Sequence, residues 1–269
     1  MTAPESEQGG GSGFPSATVL GVRVHTVTVN ELTEAVAKFV SERRRVLVAN
    51  HNLHSVALLR KDDVLADFYR RSALTFIDST WLVRFGKWAG APVVQAHRTT
   101  YLDWLDLLFG AATREHWKVA HVGAPADVGE RACSALRLAF PGLSIESHHG
   151  YFDSTHGSAE SDDVVSWVHR QTPDVLLVGM GMPRQERWVE QNFDQFPNCV
   201  ILTSGACFGY LGGEQKAPPR WSGAIGLEWA FRVAAEPRRL WRRYFVEPVP
   251  LVVVLARDLA RLRRRHPRG

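Results

Sequence analysis

The stretch "LLVGMGMPRQERW", Leu176 to Trp188, decides how the chain is read. Its first residues are a continuous apolar run with no polar alternation, as in a strand buried on both faces. Two glycines, Gly179 and Gly181, follow at the strand's end, and Pro183 then suits the first turn of a helix because its missing N–H costs nothing there. Arg184, Gln185 and Glu186 fall in that turn, too polar for a core and too clustered for an ordinary loop. On local grounds the junction can hold a dinucleotide, a sugar nucleotide or only its own turn.

The same unit recurs in both directions. "RVLVAN" leads into "HNLHSVALLRKDDVLADFYRRS", "ALTFID" into "STWLVRFGKWAG", and "WKVAHVG" into "APADVGERACSALRLAF". "LSIESHHG" precedes "SAESDDVVSWVHRQ", and "CVILTSGACF" closes the series. Near the start, "TVLGVRVHTV" reads as a strand before the amphipathic "NELTEAVAKFVSERR", with Asn30 placed as its N-cap. Strands alternating with helices predict an α/β fold: a Rossmann-like, mostly parallel sheet with helices on both faces. Ligands of such sheets bind beyond the strand C-termini, so those positions carry the candidates.

After Pro219 the alternation stops, and Pro237, Pro248 and Pro250 punctuate short helical segments. Residues 1–13 read as a disordered tail, 14–219 as an α/β catalytic domain and 220–269 as a helical basic appendage. The appendage holds twelve Arg, no Lys and four acids, a net +8 within a chain of +4, so the body carries −4. Such asymmetry points to a polyanionic partner: phosphate groups, nucleic acid or an anionic membrane. The apolar run Val249–Ala256 is far short of the ~20 residues a spanning helix needs. With apolar residues at 45%, a substantial core is expected. Cys133, Cys199 and Cys207 lack metal-ligand spacing and read as reduced thiols of a cytoplasmic protein.

Asp78 ends "ALTFID" and can act as a general base or cap the next helix. An ordinary aspartate pKa near ~3.9 makes a weak base at neutral pH, so catalysis would need burial. Asn50, His51, Asn52 and His54 follow another strand; the amides can bind a sugar or cap a helix, and the two histidines have no third ligand, which disfavours metal. Gly123 stands at a strand tip, and Pro125 breaks any dinucleotide fingerprint there, although the helix N-terminus can still receive a phosphate. Arg232, Arg239 and Arg242 share one face if their helix is continuous, an arrangement suited to a diphosphate, although Pro237 argues for a break. Trp229, Phe231, Trp241 and Tyr244 interleave with them as packing or membrane-facing residues.

Taken in order, Asn50-x-Asn52, "FID", Gly123 with Pro125, "PGL…GYF", "VGMGMPRQERW", "TSGACF", "APPRW", "GLEWAFR" and "EPRRLWRRY" resemble one family, the WecG/TagA/CpsF-type bacterial glycosyltransferases, over about residues 17–246. The resemblance implies an inverting, metal-independent transfer from a UDP-sugar, typically of N-acetylmannosamine type. It implies a sugar on a polyprenyl diphosphate as acceptor, in cell-surface polysaccharide synthesis. It places the base on Asp78, the motif glutamine on Gln185 beside Glu186, and the diphosphate-binding arginines on Arg232, Arg239 and Arg242. Asn50, Asn52, Arg98, Gly123, Gly179 and Gly181 complete the expected substrate-binding set. No cofactor beyond the donor substrate and no nucleic acid are expected. The appendage is expected on an anionic membrane, at the inner face of the cell membrane, and a homo-oligomer is compatible with the sequence. The family's Thr-x-Asn, Asp-Gly and signature lysine stand here as Asn50-x-Asn52, Asp78-Ser79 and Arg184; Gly209 and Lys216 replace an aspartate and an arginine. An NAD(P)-dependent oxidoreductase and a non-catalytic lipid- or nucleic-acid-binding module are the alternatives.

Overall fold

The computed structural model describes residues 13–246 and 249–265; the side chains of residues 220, 224, 239, 258, 259 and 261–265 lie outside the description. The expected disordered tail therefore falls, up to residue 12, outside the described residues. The chain opens with an antiparallel hairpin, β1 (Ser16–Val19) and β2 (Val22–His25), separate from the main sheet. This differs from the single strand expected of "TVLGVRVHTV". Leu20 and Gly21 both have positive φ, so the chain reverses inside that run. Helix α1 (Val29–Ser41) follows, capped by Thr28 rather than Asn30: Thr28 and Glu31 form a reciprocal capping box.

Then come β3 (Val46–His51), α2 (Leu53–Leu58), α3 (Asp63–Arg71), β4 (Leu74–Ile77), α4 (Thr80–Trp88), α5 (Tyr101–Arg114), β5 (Lys118–Gly123), α6 (Ala126–Ala139), β6 (Ser144–His148), α7 (Ala159–Gln171), β7 (Val175–Gly179), α8 (Arg184–Asn192), β8 (Val200–Thr203) and α9 (Cys207–Leu211). The six strands β3–β8 form one parallel sheet in the order β4-β3-β8-β7-β5-β6. Alternate residues serve opposite faces. Val48, Val119, Leu177 and Leu202 pack under α1, α5 and α6 around Trp104. Leu47, Ala120, Leu176 and Ile201 pack under α3, α7 and α8 around Phe68 and Trp188. Burial on both faces explains the unbroken apolar runs that marked these strands in the sequence.

The remaining described elements are helices: α10 (Arg220–Ile225), α11 (Glu228–Ala235), α12 (Pro237–Phe245) and α13 (Val249–Arg265). Pro237 is the first residue of α12, where proline is tolerated but cannot extend α11, so the helical phase restarts between Arg232 and the later arginines. Leu251 of α13 is buried in a third cluster with the hairpin, α2 and α4. Trp229 packs edge-on to Phe245 at 5.6 Å and tilted to Tyr244 at 6.2 Å, joining α11 to α12.

Candidate active site

The C-terminal ends of β4, β3, β8 and β7 are adjacent in the sheet, and the loops leaving them line a cavity of about 150 Å³ roofed by α11 and α12. Its floor includes Asn50, Asp78, Gly181, Gln185 and Ser204; its roof includes Arg232, Arg243 and Tyr244. A second cavity of about 270 Å³ lies between α4 and α11–α12, walled by Trp81, Trp229 and Phe245. Asn52, Asp78, Arg232, Arg243 and Tyr244 line both. Asp78 therefore stands on the boundary between the two.

Asp78 is fixed by the strand it ends. Its backbone N–H donates to His51 O at 2.8 Å, continuing the β3–β4 ladder by one residue. Ser79 caps α4, its hydroxyl accepting from Leu82 N at 3.3 Å, so the Asp78 carboxylate is not consumed by the helix. It accepts instead from Asn50 Nδ2 at 3.3 Å, and Asn50 Oδ1 accepts from Thr203 Oγ1 at 3.5 Å. One polar chain thus links the ends of β4, β3 and β8. Asp78 keeps some exposure because it lines the cavities, yet protein surrounds it. Burial raises its pKa to about 7, with Glu228 adding to the rise and Arg232, Arg98 and Arg243 opposing it. An aspartate half-ionised near neutrality is a competent general base.

Gln185 is buried and lines the first cavity. Its Oε1 accepts from Gly181 N at 3.1 Å and its Nε2 donates to Glu186 Oε1 at 2.7 Å. The positive φ of Gly181 (81°) lets the loop curl back for the first contact. The second Nε2 hydrogen remains for a ligand. Glu186 is fully buried, lines neither cavity, and has no hydrogen-bond partner for Oε2 among the described residues. Burial raises its pKa to about 7 against the opposing bond from Gln185. A carboxyl raised from its unfolded value near ~4 stabilises the fold fully below pH ~4 and loses that contribution as pH climbs through 7. Glu186→Gln should accordingly have a higher Tm than wild type at pH 8, a gain that shrinks towards pH 5; melts at the two pH values check it.

The structure brings Asn50, Asn52, Asp78, Gly181, Gln185 and Arg232 to one place. Asn52 also N-caps α2 through Ser55. Arg232 is largely enclosed, its guanidinium 5.9 Å from the Tyr210 ring centre. Other candidates lie elsewhere. Gly123 and Gly179 line neither cavity; they are register partners at which a Cβ on Gly123 would come within 2.4 Å of Gly179 O. Arg98 lines neither cavity and is bound to Glu228 at 2.6 Å and Asp103 at 3.0 Å. Arg242 is exposed, and the side chain of Arg239 lies outside the described residues. Arg243 takes the inward place, because the restart at Pro237 shifts which residue of α12 faces the site. Arg184 lines neither cavity and holds the 150–154 loop, donating to Ser154 Oγ at 2.9 Å, Gly150 O at 2.8 Å and Phe152 O. Sequence reasoning also passed over Tyr101, Ser204 and Tyr210 in the first cavity. Ser204 sits one residue past β8, where the strand-end rule alone would have found it.

Among the described residues, no three His, Cys, Asp or Glu side chains converge as a metal-ligand group. The three cysteines are buried and free.

The family model described as "Glycosyl transferase WecG/TagA/CpsF family" matches residues 17–265. Two similar curated relatives come from Staphylococcus aureus strains MRSA252 and NCTC 8325. Both are named N-acetylglucosaminyldiphosphoundecaprenol N-acetyl-beta-D-mannosaminyltransferase; each is 26% identical over 226 residues, 83% of this chain and 86% of the relative. With a match spanning the sheet, both cavities and the C-terminal helices, the chain belongs to the WecG/TagA/CpsF family of glycosyl transferases.

Proposed function

We propose that the protein transfers a sugar from a UDP-sugar to a sugar carried on a polyprenyl diphosphate, with inversion and without a metal, in cell-surface polysaccharide synthesis. The observation that carries this reading is Asp78 on the boundary of two cavities. The donor occupies the first cavity, with its diphosphate under Arg232 and Arg243; the acceptor sugar enters the second, against Trp81, Trp229 and Phe245. The acceptor hydroxyl attacks the donor's anomeric carbon as the bond to UDP breaks on the opposite side. The hydroxyl proton passes to Asp78 and the electron pair leaves with the diphosphate, whose charge the two guanidiniums offset. A single displacement needs one base, unlike the close carboxylate pair of retaining hydrolysis. The acceptor is inferred from the relatives' names, which specify N-acetylglucosaminyl-diphosphoundecaprenol.

A UDP-sugar panel, measuring UDP release with and without a polyprenyl-diphosphate-sugar analogue, tests the reading. Acceptor-dependent release from at least one UDP-sugar is expected. No release from any of them, alongside turnover of another nucleotide sugar, would remove the UDP assignment.

We place residues 220–269 as a membrane-contacting appendage and the enzyme at the inner face of the membrane. No helix of the described residues is long and apolar enough to cross a bilayer. Trp241, Phe245, Val249, Val252 and Val253 are exposed beside the arginine-rich sequence, the pairing of apolar surface and basic charge that an interfacial segment uses. Trp241→Glu with Val252→Glu should abolish flotation with anionic vesicles while leaving the fold intact by circular dichroism. Undiminished flotation would contradict the placement.

A further inference from the structure

Arg232 reaches the donor cavity from α11, and the first residue of that helix is ion-paired to the body. Glu228 opens α11 one turn before Arg232, so the two residues share a face of the helix. Glu228 Oε1 accepts from Arg98 Nη2 at 2.6 Å, while Arg98 Nη1 also binds Asp103 Oδ2 at 3.0 Å. The Arg98 side chain is only 8% exposed. Its backbone lies beside the strand that delivers the base: residue 98 bridges Ile77 in parallel, and Thr99 N donates to Ile77 O at 2.8 Å. The C-terminal half of α10 and the turn into α11 are held by α4, the helix that follows Asp78. Thr80 Oγ1 donates to Gly223 O at 2.7 Å, Trp81 Nε1 to Gly226 O at 3.0 Å, and Arg84 Nη2 to Ile225 O at 3.1 Å.

We propose that Arg98 and Glu228 form a latch that seats α11 on the sheet and so sets the position of Arg232 over the donor cavity. Both are positioning residues, and Arg98 acts on the donor through Glu228 and α11 rather than by touching it. The latch rests on the reading of the first cavity as the donor site. It accounts for Gly223: a Cβ there would lie 2.5 Å from Glu228 Oε1 and 2.6 Å from Arg98 Nη2. Those atoms are the ends of flexible side chains, so an added methyl would part the ion pair rather than break the fold.

Gly223→Ala therefore opens the latch while removing no charge. Two readings follow it in the full-length protein. Hydrogen exchange of the unliganded protein should rise in residues 228–235 for Gly223→Ala and Glu228→Gln while β3 and β4 stay protected. In steady-state kinetics both single variants should raise the donor KM about 10-fold or more, as expected for a catalytic group displaced by an ångström. The pH profile separates displacement from mere loss of charge. Arg232 is the largest charge holding the Asp78 pKa down, and Glu228 pushes it up. Losing the Glu228 charge alone lowers the acid limb of kcat/KM, whereas moving Arg232 away raises it. Gly223→Ala should raise it. Wild-type exchange and donor KM in both single variants would overturn the latch. So would a rise confined to the acceptor KM, which would make Glu228, on the wall of the second cavity, an acceptor contact. A wild-type protein without UDP-sugar turnover sinks the donor reading instead, and the exchange experiment still decides whether the ion pair seats α11.

Discussion

Asp78→Asn should lower kcat for sugar transfer by about 10²- to 10⁴-fold, the range a positioned general base contributes. The substitution keeps the shape of the side chain at the cavity boundary and removes its capacity to take a proton. Donor binding should survive, because the diphosphate is assigned to Arg232 and Arg243 rather than to the carboxylate. A thermal shift with UDP that matches wild type, beside turnover reduced by this factor, is the expected pair of results. Asp78 cannot be excused as a helix cap: Ser79 performs that task. Turnover within a few-fold of wild type would remove Asp78 from the reaction.

Arg232→Ala should lower kcat/KM for the donor by about 10²- to 10³-fold, by analogy with removal of one donor from a preorganised anion site. Arg232 is enclosed, lines both cavities, and has no hydrogen-bond partner for Nε among the described residues. Such an atom is costly to bury unless a ligand satisfies it. Arg232→Lys should recover only part of the loss, since an ammonium cannot make the planar, two-pronged contact a guanidinium offers a diphosphate. Arg242→Ala serves as the contrast: Arg242 is exposed and lines neither cavity, so donor kinetics should move little. Equal losses at the two positions would show a general field effect of the basic helices rather than a site.

The sheet was legible because its strands are buried on both faces and carry the unbroken apolar runs that state so. The family was legible for another reason: several of its motifs sit at strand ends, where Asp78 and Gln185 line one cavity despite lying more than a hundred residues apart in the chain. Family membership also disposes of the oxidoreductase and non-catalytic alternatives. What the sequence hid depends on phase or on distance. The arginines share one face only if a single helix runs through Pro237; the break that Pro237 argues for is there, and with the phase restarted Arg243 rather than Arg242 lines the site. The hairpin was read as one strand because Leu20 and Gly21 reverse the chain within an apolar run. Gly123 looked like a phosphate-binding turn, but its own strand end lies one place beyond the four that line the cavity. Arg98 was grouped with the substrate-binding residues, and nothing local could show that its partner, Glu228, is 130 positions away.

The pH dependence of kcat/KM reads the base at the boundary of the two cavities. With a competent donor and acceptor, kcat/KM should fall about tenfold per pH unit below pH 7, reporting Asp78 raised to about 7 by burial, with the limb absent in the residual activity of Asp78→Asn. A wild-type profile that stays flat from pH 8 down to pH 5, or an Asp78→Asn profile with the same limb, would contradict it.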